Sequence, residues 1–259
     1  GWLEIGRIDI GNRCFVGTQV SLGLNSRLED DVWIDDLSHV PDNVVISQGA
    51  RCQGVPLKGA TFTVPDQMPR ATPRPLLYGT LHLLLIYVMG YFLILTTLPG
   101  LALAAFALTT TDIALGSLAL LAAVPASIAW FALCVLAVKK LVIGTIKPTT
   151  CSIYSPQYLR LWFNRYLMAN TRQILMPLYA TVYLPWFYRQ LGAKIGSNAE
   201  ISTVNEATPD LLEIGEGSFL ADECIIGAMR LHNGFVELLP VRIGNRSFVG
   251  NSALIRGGT

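Results

Sequence analysis

Seven aliphatic residues stand six apart without a break, Ile10, Val16, Leu22, Leu28, Ile34, Val40 and Ile46, a period that suits neither a helix nor an ordinary strand. A six-residue period points to a coil in which short flat strands alternate with tight corners and one aliphatic side chain per hexad points inward. The residue after each is Gly11, Gly17, Gly23, Glu29, Asp35, Pro41 or Ser47, and the fourth after each of the first six is Cys14, Val20, Ser26, Val32, Ser38 or Val44. Small, polar and β-branched residues suit corners and short strands. Three hexads close one turn of a triangular prism, so residues 10–46 make about two coils.

The rhythm returns near the other end at Ile195 and Ile201, then Ile214, Leu220 and Ile226, then Ile243, Val249 and Ile255. Here it slips twice: Ile201 to Ile214 is thirteen residues rather than twelve, and Ile226 to Ile243 is seventeen rather than eighteen. The slips predict a bulge or shortcut near 203–213 and 229–242, exposed as surface loops.

Between the two registers the composition changes. Charged residues are only 14% of the whole chain, against about a quarter in ordinary soluble domains. The deficit is local: from Pro75 to Val138, a stretch of 64 residues, Asp112 is the only formally charged residue. Leu76 to Leu98 would extend about 34 Å as a helix, enough to cross a hydrocarbon layer of roughly 30 Å, and Ala114 to Val138 would do the same. Pro99 and Gly100 are expected to break the first helix, and Thr109 to Asp112 to supply a polar turn. Arg70, Arg74, Lys139, Lys140 and Lys147 flank this hairpin while its loop has no Lys or Arg, which predicts a multi-pass protein of the cell membrane with both prisms cytoplasmic.

The predicted fold is therefore mixed: two left-handed parallel β-helix (hexapeptide-repeat) segments separated by a two-helix transmembrane hairpin and an interfacial helical segment. Its boundaries are 1–60 for the end of one β-helix domain, 61–75 for a linker, 76–98 and 114–138 for the spans and 99–113 for a non-cytoplasmic loop. Residues 139–190 form aromatic and basic interfacial helices, and 191–259 start a second β-helix domain. Ten aromatic residues between 154 and 188, together with Arg160, Arg165, Arg172 and Arg189, give that segment the composition of a headgroup boundary, with a second helix bent at Pro177 and Pro185. The alternative is an amphipathic cover for the β-helix. With a register already running near Gly1 and ending just after Ile255, the chain reads as a fragment of something longer.

A net charge of +1 and no basic stripe interleaved with aromatics exclude nucleic acid as a partner. The five cysteines are scattered and form no C-x-x-C pair, which fits a reducing compartment and no metal site. Prisms of this kind often serve as acyltransferases in which a histidine with a near-neutral pKa deprotonates the acceptor. Of three histidines, His82 falls in the first span and His39 in a regular coil, whereas His232 falls in the second register break and is the candidate base. Asp210, Glu213 and Asp222, with Glu223, surround the first break and are candidates for binding an amine or orienting the base. No Ser-His-Asp order, Walker loop or G-x-G-x-x-G is present.

Four strings carry a resemblance: Tyr158-Leu159-Arg160-Leu161-Trp162, Arg189-Gln190-Leu191-Gly192-Ala193-Lys194-Ile195-Gly196, Asp210-Leu211-Leu212-Glu213-Ile214-Gly215 and Pro240-Val241-Arg242-Ile243-Gly244. Their order, with the prism, hairpin, prism arrangement, resembles the carboxy-terminal region of the polylysine-synthetase-like membrane nonribosomal peptide synthetases, within the hexapeptide-repeat transferase superfamily. Gly54-Val55-Pro56 is similar to the short Gly-x-Pro that closes many such β-helices. The resemblance implies a membrane-anchored transferase that moves an acyl or aminoacyl group from a phosphopantetheine thioester on a carrier (thiolation) domain to an amine. It also implies neighbouring β-helix domains as partners, in the same chain or in a trimer. In that arrangement residues 1–60 and 190–259 would pack as two thirds of a pseudo-trimer. The competing readings are a noncatalytic membrane scaffold that docks a carrier protein, and a coenzyme A dependent acyltransferase. Two spans and one interior charge offer a transporter little pathway.

Overall fold

In the first unit of the chain, strands pair with partners eighteen residues further on. The computed structural model describes residues 2–60, 72–205, 207–232 and 234–258, so most of the linker placed at 61–75 lies outside the described residues. The chain divides into two compact units, Gly1–Gln67 and Met68–Thr259.

In the first unit, β1 (Asp9–Ile10), β4 (Arg27–Leu28) and β7 (Val45–Ile46) form one parallel sheet. β2 (Phe15–Val16), β5 (Trp33–Ile34) and β8 (Arg51–Gln53) run parallel in a second, and β3 (Ser21–Leu22) with β6 (His39–Val40) in a third. The aliphatic register fills the space between them: Leu28, Ile34 and Val40 are at most 1% exposed. This pattern is compatible with a β-helix of eighteen-residue coils. After β8 the chain reverses at Gly54, and β9 (Lys58–Gly59) returns antiparallel along β8.

The corners explain the polar residues of the repeat. Every sixth residue from Arg13 to Gly49 has a positive φ, including Leu37 and Gln19, side chains with no intrinsic taste for that conformation. Stacking holds them there. The amides of Asn12, Thr18 and Leu24 donate to the carboxylates of Asp30, Asp36 and Asp42 one coil on, at 2.7, 2.7 and 2.6 Å. The amides of Asp31, Leu37 and Asn43 donate back to the carbonyls of Asn12, Thr18 and Leu24. Corner backbone groups are thereby satisfied coil to coil. Gly23 is required for space: a Cβ there would sit 2.5 Å from the Asp42 amide nitrogen.

The second unit mixes helix and strand and begins with α1 (Pro75–Thr109) and α2 (Ile113–Ala137), the latter continuing as a π-helical segment Val138–Ile143. Both are long and apolar enough to cross a membrane. The expected break at Pro99-Gly100 and loop over 99–113 do not occur; α1 runs on to Thr109. Pro99 removes one helical hydrogen bond, and α1 continues through it without ending. Gly100 serves packing, since a Cβ there would collide with Ser127 Oγ of α2. Asp112 caps α2, its carboxylate accepting from the amides of Ala114 and Leu115 at 2.9 and 3.1 Å.

The segment 139–190 is not helical throughout: β10 (Thr149–Ser152) precedes α3 (Pro156–Ile174). Ser155 caps α3 by accepting from Tyr158 N. Leu161, Phe163 and Leu167 share a core with Met89 of α1 and Phe131 and Val135 of α2. The His82 ring meets Trp162 edge-on at 4.8 Å. Pro177 sits in a 3-10 turn, Met176–Leu178, and α4 (Tyr183–Gln190) carries Pro185 in its first turn, where no amide is missed, so two helices stand where one bent helix was expected. Phe187 and Tyr188 are buried while Tyr183 and Trp186 are exposed, so this segment both covers the strands that follow it and presents aromatics outward.

The second set of parallel sheets joins β11 (Lys194–Ile195), β14 (Leu212–Ile214) and β19 (Val241–Ile243); β12 (Glu200–Ile201), β15 (Phe219–Leu220) and β20 (Phe248–Val249); and β13 (Val204–Asn205), β16 (Cys224–Ala228) and β21 (Leu254–Arg256). Ile195, Ile201, Ile214, Leu220, Ile226, Ile243 and Val249 form its core, the register read from the sequence. The second slip has a different meaning from the one expected. Ile226 and Ile243 lie on successive sheets, so the seventeen-residue interval is one hexad with an excess of eleven residues. The excess is no loose loop: β17 (Arg230–His232) and β18 (Phe235–Leu238) make an antiparallel hairpin, and β10 pairs with the other edge of β18.

Candidate functional site

The three carboxylates grouped by sequence lie in three settings. Asp210, in a 3-10 turn, is 7% exposed and receives Lys139 Nζ at 2.5 Å and the Ile146 amide at 3.1 Å. Lys139 is itself 2% exposed and also donates to Gly144 O at 2.7 Å. Read from the sequence as a flanking charge, it is a buried link between the end of α2 and the turn before β14. Glu213 lies on the outer side of β14 between Lys194 and Arg242, with Arg242 Nε at 3.4 Å. Asp222 turns a corner and accepts from the hydroxyls of Ser202 and Thr203.

His232 ends β17, its backbone paired with that of Phe235; of the Asn233-Gly234 turn expected beside it, Asn233 lies outside the described residues. His39 Nδ1 is 2.6 Å from Ser21 Oγ one coil below, and His82 Nδ1 is 2.7 Å from the Tyr78 carbonyl of its own helix. Among the described residues no group of three or more His, Cys, Asp or Glu side chains is placed to hold a metal ion. Cys52, Cys151 and Cys224 are buried, and burial pushes their thiols up, the behaviour of packing residues.

A feature absent from the sequence reading is a groove of about 340 Å³ between α3 and the second set of parallel sheets. Arg165 and Arg172 line it from one stripe of α3 that also holds Met168 and Ala169. The spacing of three, four and seven puts all four on one helical face. Asn205 and Thr208 come from the first register break and Met229, directly before β17, from the second. Both interruptions of the repeat thus meet at one cavity. The signal was present in the two slips and the arginine spacing, but only the fold brings them together.

The groove is polar at its rim. Glu223, at φ +59°, accepts from Asn205 Nδ2 at 2.9 Å and faces Arg172 Nη1 at 3.7 Å. Beneath it Tyr188 shares a hydrogen bond with Tyr179, and burial pushes both phenols well above their ordinary range against a weaker opposing pull from Arg172. Both therefore stay protonated at any physiological pH, one hydroxyl donating to the other. The arrangement can offer cations, amide and hydroxyl donors, and an apolar wall to a single ligand.

No family model matches the chain, and no solved structure matches it. The chain spans about a fifth of the length of the curated relative it matches: in an alignment of 276 residues it is 28% identical, over 100% of its own length and 21% of the other protein's, to Delta-poly-L-ornithine synthetase of Acinetobacter baumannii (strain AB307-0294). The similarity takes in both sets of parallel sheets and the apolar helices, so what this chain resembles from end to end is one stretch of a synthetase.

Proposed function

We propose that the chain is part of a membrane-anchored synthetase and that it moves an acyl or aminoacyl group from a phosphopantetheine thioester, on a carrier domain or on coenzyme A, to an amine. The observation that carries this reading is the whole-chain similarity to Delta-poly-L-ornithine synthetase. By the same similarity the acceptor is the amine of a basic amino acid. The two sets of parallel sheets are taken as left-handed β-helices facing the cytoplasm, on the strength of their eighteen-residue register and of the basic residues flanking α1 and α2. Neighbouring β-helix domains, in this chain or in a trimer, are its proposed partners.

In the reaction the amine nitrogen attacks the thioester carbonyl, the N–C bond forms and the C–S bond breaks. The proton lost by nitrogen passes through a neutral imidazole to the leaving thiolate, and His232 is assigned that role. Its position supports this: it ends a strand that starts at the rim of the α3 groove. The test is His232→Ala in the intact protein. Product formation is expected to be abolished while expression and membrane content stay normal; unaltered product removes His232 as the base. A protein that serves only as a scaffold would keep turnover in this variant and lose it on deletion of the apolar helices.

A further inference from the structure

The groove between α3 and the second prism has a character that transfer alone does not explain. Two arginines seven residues apart on one helical face project over a cavity whose other walls are the side chains at both breaks of the repeat. We infer that this groove is a binding site for a phosphate ester carried on an amide-rich stem, the chemistry of a phosphopantetheine arm; the inference rests on the transfer reading above and names the site that would hold its donor.

Three observations support the assignment. Guanidinium groups are the side chains best matched to phosphate, because their planar fork gives parallel charge-assisted bonds. Arg172 makes a long contact to Glu223 at 3.7 Å, with both side chains partly open to solvent, so a phosphate oxygen that binds the guanidinium at closer range can compete with that carboxylate. Next to the arginines, Asn205 and Thr208 offer donors and acceptors to amide groups, while Met168, Ile225 and Met229 offer apolar contact to methylene units. Buried tyrosine hydroxyls that share a hydrogen bond give this wall a fixed shape.

The groove also has a side. α3 turns Trp162 to His82 of α1 and Leu167 to the core shared with α2, whereas Arg165, Met168 and Arg172 face the prism. Among the described residues, none of α1 or α2 lines the cavity. A soluble phosphate ester therefore fits this position better than a lipid headgroup, which would approach from the side of the apolar helices.

The experiment measures binding to the full chain in uncharged detergent, with coenzyme A and pantetheine as probes. Coenzyme A should bind at least about tenfold more tightly than pantetheine, and the R165Q/R172Q double variant should lose about tenfold or more of the affinity for coenzyme A with little change for pantetheine. Thermal unfolding of the variant, matched to the parent, shows that the loss is local. Equal affinity for the two probes overturns the inference, as does unchanged coenzyme A binding by a folded variant. So does arginine dependence seen only with phosphatidylglycerol nanodiscs. The single variant R172K, which keeps charge without the fork, should fall between parent and double variant. Arginine-dependent binding without turnover would leave this site standing and sink the transfer reading; turnover with arginine-independent binding would do the reverse.

Discussion

The two sets of parallel sheets start from the same hexad grammar and use it differently. In the first unit the pairing interval is eighteen residues for Asp9 with Arg27, Phe15 with Trp33 and Ser21 with His39, and each corner is satisfied by the coil above it. In the second it is nineteen for Lys194 with Glu213, twenty for Val204 with Cys224 and twenty-nine for Leu212 with Val241. The regular repeat satisfies its corner amides and carbonyls from coil to coil. The interrupted one spends its extra residues outward. The 3-10 turn of the first break presents Asp210 to Lys139, and the hairpin of the second pairs with β10. Interruption is what fastens a repetitive fold to the apolar helices.

The largest effect expected from that contrast comes from the buried pair. Asp210→Ala leaves the Lys139 ammonium, 2% exposed, without its counter-charge and should destabilise the second unit by about 3–5 kcal/mol. Chemical denaturation followed by a probe in each unit measures it: the first unit's transition should stay in place. Lys139→Met with Asp210→Leu, which removes both charges, should recover most of the loss. If the double variant is no better than the single one, the carboxylate acts mainly through its bond to the Ile146 amide.

A smaller effect tests stacking itself. Gly23 follows the register residue Leu22, and a Cβ there meets Asp42 backbone at 2.5 Å. Gly23→Ala should cost about 1–3 kcal/mol by forcing two coils apart. Thermal melts of variant and parent side by side decide it, and an unshifted melt would mean that the stacked corners have room for a side chain.

These differences also mark how far the sequence could be read. The inward register from Leu28 to Val40 and again from Ile195 to Val249 was legible because one aliphatic residue per hexad is a one-dimensional signal. The ends of the apolar helices were legible only in part. Pro99-Gly100 carries the chemistry of a break, and nothing local reveals that Ser127 of another helix needs the glycine. The second slip was misread because a missing residue and an excess of eleven leave nearly the same phase. The groove was invisible for a related reason: Arg172, Tyr188, Asn205 and Met229 are distant in sequence and meet only through α3 packing on the second set of sheets. Lys139 looked like a membrane-flanking charge because burial of its partner, 71 residues on, has no local signature.

The smallest effect lies on the regular side of the comparison. Arg13 Nε and Nη2 reach the two Asp31 oxygens at 2.6 and 2.7 Å across one coil, and the guanidinium holds that carboxyl below its ordinary value while its own pKa is raised. A carboxyl whose pKa is lower in the folded chain binds fewer protons there than in the unfolded chain, so it stabilises the fold once pH is above the unfolded value near 3.8. That contribution disappears as pH falls from there through the lowered folded value. Both groups are open to solvent, so salt screens the pair and the effect is small. Asp31→Asn should therefore flatten the acid limb of first-unit stability below about pH 4. The flattening should shrink in molar salt, whereas an acid limb unchanged by the substitution would show that the stacked corners, and not this surface pair, set the acid response.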